Sequence, residues 1–311
     1  MARSSKARYV LVTLVFAALV GGCADATSVS VPSTSLAVVT TLPPMEMPTT
    51  TTTLVTVSTT VPPPAPTLVT TPARGDVVTT YKTQMEISTE PGVVLTVGET
   101  ELPVGDTGVV TVDLLNVPGD NLIRIVAAKD GGVFATRQVT FEFVPAAGWA
   151  VAIGDSVMLG SKTEIEKRIP GVAVNATVSR QFSAAPAMVR ELVQRPVPPE
   201  LIIIGLGTNG PARESDLYAI MEAARDIPRV VFVNVRVPRT WEGTSNSVIA
   251  DGVARYDNAV LVDWYAVSSN RNELFAADGV HPKQPGRVIL ADLIEQAVFG
   301  FADTNSGVED A

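Results

Sequence analysis

The sequence predicts two folded modules in series, a small β-sandwich followed by a three-layer α/β domain, and three observations carry this. Short β-rich runs separated by Gly, Pro and Asp turns fill residues 79–146. Apolar strand-like runs alternate with amphipathic stretches over residues 147–300. Before both lies a tract too poor in large apolar side chains to build a core.

The chain of 311 residues opens with Arg3, Lys6 and Arg8, then an apolar run over 9–20 that is short for a membrane-spanning helix. Val20-Gly21-Gly22-Cys23 follows and resembles a bacterial lipobox. Residues 1–23 therefore read as a lipoprotein signal peptide ending at a lipidated Cys23; the alternative is an ordinary secretory signal with an incidental cysteine. Cys23 is the sole cysteine, so no intramolecular disulfide can form. Residues 24–78 are rich in Thr, Pro, Val and Ser, as in 49–53 and 62–64. Proline removes backbone donors and the tract lacks large apolar neighbours, so it is expected to be a disordered tether. Residues 301–311 are expected to be a disordered tail.

In the β-rich stretch, the runs at 85–88, 93–97, 108–114, 122–127 and 133–143 are separated by turn signals such as Glu90-Pro91-Gly92, Pro118-Gly119-Asp120 and Asp130-Gly131-Gly132. That spacing indicates a small sandwich. The order of runs and turns resembles bacterial immunoglobulin-like modules that accompany exported glycan enzymes. A carbohydrate-binding role and a rigid-spacer role are both open, and the want of an evident row of exposed aromatics favours the spacer.

From Gly148 onward, runs at 150–153, 172–176, 201–206, 230–235 and 259–262 predict five buried parallel strands. Helices are expected over 156–168, 184–193, 214–225, 245–256 and 286–298. Ligands of open α/β sheets sit at the carboxyl ends of the strands. Polar residues gather there: Gly154-Asp155-Ser156, Ser179-Arg180-Gln181, Gly207-Thr208-Asn209-Gly210 and the segment from Arg236 through Arg239 and Trp241 to Glu242, with Asp278-Gly279-Val280-His281-Pro282 before the last helix.

The chemistry is bounded by scarcity. His281 is the only histidine, which excludes His-rich metal cages, and no metal or cofactor is called for. A net charge of −9 argues against nucleic-acid binding. Gly205-x-Gly207-Thr208-Asn209-Gly210 misplaces the third glycine of a dinucleotide fingerprint. Met158 stands where an α/β-hydrolase elbow has its second glycine. What a single histidine permits is a serine activated by a base that a carboxylate orients, and Ser156, His281 and Asp278 are the candidates. The Asn175-Ala176-Thr177 sequon is set aside as the end of a buried strand.

Taken in order, Gly154-Asp155-Ser156, the Ser179 turn, Gly207-Thr208-Asn209 and Asp278-Gly279-Val280-His281-Pro282 resemble the four blocks of SGNH hydrolases (GDSL-type esterases). The segments 180–181, 206–210 and 235–242 are similar to the extracytoplasmic SGNH domains attached to membrane acyltransferases, including those that O-acetylate peptidoglycan. The resemblance covers 148–298 and implies a flavodoxin-like sheet. It implies an oxyanion hole from the backbone N–H groups of Ser156 and Ser179 and the Asn209 side chain, with Ser179 standing where the family has glycine. Asp155, Arg180, Gln181 and Arg236 are candidate substrate contacts; Arg239, Trp241 and Trp264 have weaker claims.

The reading that follows is an exported, lipid-anchored esterase that removes acyl groups, acetyl foremost, from a cell-envelope glycan. Two alternatives stand beside it: an O-acyltransferase supplied by a separate membrane acyl-donor protein, and a non-catalytic glycan-binding or spacer lipoprotein.

Overall fold

The computed structural model describes residues 68–300. The signal sequence with Cys23, the tether up to residue 67 and the tail over 301–311 lie outside the described residues.

Eight strands form the N-terminal module: β1 (Val69–Thr71), β2 (Val77–Val78), β3 (Lys82–Ser88), β4 (Val94–Val97), β5 (Thr100–Pro103), β6 (Val109–Leu115), β7 (Gly119–Lys129) and β8 (Gly132–Phe143). They make a three-stranded sheet ordered β1-β3-β6 and a five-stranded sheet ordered β2-β8-β7-β4-β5. Period-two alternation orients each strand. Along β3, Met85 and Ile87 are buried while Lys82, Gln84 and Glu86 are not. Those two join Val112 and Leu114 of the same sheet and Leu95, Val97, Ile123, Ile125, Val139 and Phe141 of the other in one core.

The module begins earlier than the composition indicates. Strands β1 and β2 fall inside the stretch assigned to the tether, β1 pairs antiparallel with β3, and Leu68 and Thr70 are buried. Thr and Val are β-branched and pack well on a pleated surface, so low complexity masked a strand.

The second module alternates β9 (Ala150–Gly154), α1 (Ser156–Arg168), β10 (Val172–Ala176), α2 (Ala185–Val193), β11 (Leu201–Gly205), α3 (Glu214–Ala223), β12 (Arg229–Val233), α4 (Glu242–Val253), β13 (Ala259–Val262), α5 (Trp264–Ser268) and α6 (Gln284–Phe299). Its five strands are all parallel, in the order β10-β9-β11-β12-β13. In domain order this is 2-1-3-4-5, the flavodoxin-like arrangement. Ala152, Ile203 and Val231 face Ile165 of α1 and Leu290 and Ile294 of α6. Val151, Ile202 and Phe232 face Val189 of α2, Leu217 and Ile220 of α3 and Ile249 of α4. Helices thus cover both faces.

Two sequence expectations are corrected here. Only the three central strands are fully enclosed; β10 and β13 are sheet edges, and Ala173 and Asn175 of β10 are exposed. Helix α4 starts at Glu242 rather than at residue 245, because Ser245 is a buried position inside the helix whose hydroxyl accepts from Ala212 N at 3.0 Å.

The two modules share a core. Trp149, at the entry to β9, packs against Tyr81 at 5.3 Å between ring centroids, against Phe143 at 5.8 Å and against Phe299 at 6.5 Å. The Tyr81 hydroxyl donates to the Val298 carbonyl, and the Tyr81 amide donates to Glu200 Oε2 at 2.7 Å. Burial pushes the Tyr81 phenol and the Glu200 carboxyl up. This contact closes the amino ends of the strands and leaves the carboxyl ends, where the candidate residues lie, on the opposite side. Among the described residues, no helix is long and apolar enough to cross a membrane.

Candidate active site

Strand β9 ends at Gly154, and Met158 shows why that position is glycine. A Cβ on Gly154 would stand 2.3 Å from Met158 Cβ, so the first turn of α1 could not fold back over the strand end. Asp155 then caps α1: its Oδ1 accepts from Val157 N at 2.9 Å, and its carbonyl accepts from Leu159 N at 2.9 Å. Ser156 becomes the first helical residue, where the backbone N–H has no partner within the helix and negative charge is favoured.

Asp155, a candidate substrate contact, is buried and engaged within the protein. It is 1% exposed, and its Oδ2 accepts from the Thr208 hydroxyl, tying α1 to the loop after β11. Burial pushes its carboxyl up even against those hydrogen bonds. Its charge is consumed in holding two site segments together.

The histidine sits on a loop closed by its own backbone. Ala276 N donates to the His281 carbonyl at 2.8 Å, Lys283 N to Leu274 O at 2.7 Å, and Gly279 N to Ala276 O at 3.0 Å. Within this loop Asp278 Oδ1 accepts from Val280 N at 2.9 Å and His281 N at 3.0 Å. Its Oδ2 lies 2.7 Å from His281 Nδ1, and His281 Nε2 lies 2.9 Å from Ser156 Oγ. With Nδ1–H donated to the carboxylate, Nε2 is left as the acceptor for the serine hydroxyl. The imidazole and then the two backbone N–H groups hold the Asp278 carboxyl down at about 2. The His281 and Asp278 side chains are 47% and 48% exposed, so water reaches this line of groups directly.

The second and third blocks meet beside Ser156. Arg180 N donates to Thr177 O at 3.3 Å across a turn in which Ser179 has φ +64°. Asn209 Nδ2 donates to the Arg180 carbonyl at 3.3 Å and to Thr208 Oγ1 at 3.2 Å, both long bonds that a stronger acceptor can displace.

Arg180, another candidate contact, is engaged within the protein. Its guanidinium donates to Gly154 O at 3.1 Å, to Asn175 O, to Asn175 Oδ1 at 3.0 Å and to Thr177 Oγ1 at 3.1 Å. Arg236 is likewise engaged, its Nη1 3.3 Å from Glu242 Oε1 and its guanidinium 5.7 Å from the Phe275 ring centroid, with a side chain 15% exposed. Of the four candidate contacts only Gln181 is exposed. Trp264 is a core residue, whereas Trp241 is half-buried and donates to Gly207 O at 3.1 Å.

Sequence reasoning passed over three supports. Thr208 links Asp155 to Asn209. Glu242 accepts from Val237 N at 2.6 Å and so shapes the loop after β12. Glu164 of α1 accepts from Lys167 at 2.8 Å, from Gln284 at the head of α6 at 2.9 Å and from Arg168 at 3.1 Å, joining the serine helix to the helix that follows the histidine loop. Its pKa is held down at about 2, first by Lys167 and then by Gln284. An i, i+3 Glu-Lys pair was the available signal for that cluster. Among the described residues, no group of three or more His, Cys, Asp or Glu is placed to hold a metal ion.

No family model matches the chain. Over 136 residues, 44% of this chain, it is 36% identical to the peptidoglycan O-acetyltransferase OatA of Listeria monocytogenes. Over 143 residues, 46% of this chain, it is 33% identical to the O-acetyltransferase OatA of Staphylococcus aureus. The chain is homologous to peptidoglycan O-acetyltransferases over about half its length. The matches span only 22% and 24% of those two relatives' own lengths. The C-terminal catalytic domain of Streptococcus pneumoniae OatA, solved with a methylsulfonyl adduct, aligns over 49% of this chain and 93% of its own at 24% identity and a TM-score of 0.44.

Proposed function

We propose that this protein is an exported serine esterase that removes acyl groups, acetyl foremost, from a cell-envelope glycan. One observation carries the reading: the unbroken line of hydrogen-bonding groups from Asp278 through His281 to Ser156, at 2.7 and 2.9 Å. His281 Nε2 takes the Ser156 proton as Oγ attacks the acyl carbonyl. The oxyanion receives the N–H groups of Ser156 and Ser179 and the Asn209 amide, which gives up its long bonds to Arg180 O and Thr208. His281 then protonates the leaving sugar alcohol, and an acyl-Ser156 ester remains. Water, deprotonated by the same imidazole, releases the carboxylate and restores the serine. Asp278 stays ionised throughout because its pKa lies far below neutrality.

The half-exposed histidine loop favours water as the second acceptor, since an acyl-enzyme open to solvent hydrolyses unless the site excludes water. A second reading is supported by the names of the relatives, which are O-acetyltransferases. In it, a separate membrane protein supplies the acyl group and a glycan hydroxyl takes the place of water. We further propose that Cys23 carries a lipid anchor and that the β-module is an immunoglobulin-like spacer; the aromatic contact around Trp149 supports a rigid one.

Two measurements test these readings. A sulfonyl fluoride trap analysed by mass spectrometry is expected to label Ser156 once per chain; labelling elsewhere ends the assignment. With an acetyl donor and rising glycan acceptor, free acetate is expected to exceed acetylated glycan at every acceptor level. Acetylated glycan dominating at modest acceptor would make the protein a transferase.

A further inference from the structure

The turn over Thr177–Arg180 carries a residue in a conformation its side chain disfavours. A turn closed by a hydrogen bond from the fourth residue to the first, with positive φ at the third position, ordinarily takes glycine there, because a Cβ crowds the backbone. Here the third residue is Ser179 at φ +64°. Such strain persists only where the surroundings over-determine the backbone. The surroundings are unusually explicit. One guanidinium, that of Arg180, donates to the end of β9 at Gly154 O and to the end of β10 at Asn175 O, Asn175 Oδ1 and Thr177 Oγ1. Gly154 O also accepts from Thr177 N at 3.1 Å, so both strands and the turn are gathered on one carbonyl two residues before Ser156. The Arg180 carbonyl in turn receives Asn209 Nδ2 at 3.3 Å.

We propose that Arg180 is a positioning residue that holds the Ser179 N–H and the Asn209 amide in register with Ser156 Oγ by enforcing the left-handed Ser179 backbone, and that it makes no contact with substrate. The proposal rests on the serine-esterase reading. It accounts for how a serine can stand where the resembling family has glycine: side-chain hydrogen bonds from the next residue supply the constraint that a glycine would make unnecessary. Without the clamp, the peptide between Val178 and Ser179 is free to turn its N–H away, and the oxyanion loses a donor while substrate binding is untouched.

This yields a rescue that neither a substrate contact nor a general folding role would give. The full chain and its variants are assayed on 4-nitrophenyl acetate for kcat and KM separately. Arg180→Ala is expected to lower kcat by roughly 10²-fold, the scale for loss of one oxyanion donor, at nearly constant KM. Adding Ser179→Gly to Arg180→Ala is expected to recover about tenfold or more of that loss, because glycine adopts positive φ without help. Ser179→Gly alone is measured as the reference for the double variant. A gentler variant, Asn175→Ala, removes an acceptor of Arg180 with the charge in place and should lower kcat in the same direction, by less; it serves if Arg180→Ala does not fold. A rise in KM as the main effect, an unchanged kcat, or no recovery in the double variant overturns the clamp. Ser156→Ala run alongside separates the two claims: turnover that persists in it overturns the esterase reading, whereas turnover lost in Ser156→Ala but intact in Arg180→Ala overturns only the clamp.

Discussion

The two ends of the parallel sheet are built on opposite rules. At the amino ends, Trp149, Tyr81, Phe143 and Phe299 form a closed aromatic contact in which the polar atoms are paired, Tyr81 to Val298 and Trp149 Nε1 to Pro170 O at 2.9 Å. At the carboxyl ends, Ser156, His281 and Asp278 lie partly open to solvent, and a non-glycine residue is held at positive φ. The first end supplies buried area and therefore stability. The second holds polar groups in positions that packing alone would not select. The same sheet connects them, which makes the contrast testable by substitution.

If the contrast is sound, changes at the open end should alter rate and leave stability alone. Ser156→Ala is expected to lower ester turnover by on the order of 10⁶-fold, with thermal unfolding unchanged because one hydroxyl on a helix start contributes little packing. A large drop in Tm on this change would erase the division of labour. At the sealed end the signs reverse. Trp149→Ala should cost about 3–5 kcal/mol, the range for deleting a buried aromatic, while kcat of the protein that remains folded stays the same. A kcat that falls as far as the stability would mean the β-module reaches into the chemistry.

Asn209→Ala sharpens the open-end claim. It should lower kcat by roughly 10²–10³-fold with little effect on KM, since its donor counts when charge develops on the oxyanion. An effect confined to KM would assign Asn209 to ground-state binding. The smallest effect concerns Glu164, which sits between the two ends. Its folded pKa, about 2, lies below the ordinary 4.5, so the unfolded chain takes up the proton first and the stabilisation is lost as pH falls through that interval. Glu164→Gln should therefore melt below the parent at neutral pH, with the gap closing between about pH 4.5 and 2. A gap that does not vary with pH would show that packing, and not charge, is what Glu164 provides.

Much of this was legible in the residues. The five parallel strands follow from runs such as Leu201–Gly205, in which burial on both faces leaves no polar alternation to misread. The hydrogen-bonded line from Asp278 through His281 to Ser156 could be anticipated because the sequence has one histidine, and because Asp278 lies three positions before it on the same loop. What escaped was long-range pairing. Asp155 and Arg180 are charged residues in functional blocks, and charge in such a place reads as substrate contact. Only the fold reveals that Thr208, 53 positions from Asp155, occupies one, and that the ends of β9 and β10 occupy the other. Tyr81 and Trp149 gave no local signal for the same reason, and β1 was hidden by a composition shared with the tether.

The solitary imidazole has a practical outcome. Every histidine side-chain signal in a proton spectrum of this chain must come from His281, whose Nδ1 lies 2.7 Å from Asp278 Oδ2. The carboxyl end of the sheet therefore carries its own reporter. Its downfield resonance can be followed through pH titration, acylation and inhibitor binding in the intact, unlabelled chain, without assigning anything else.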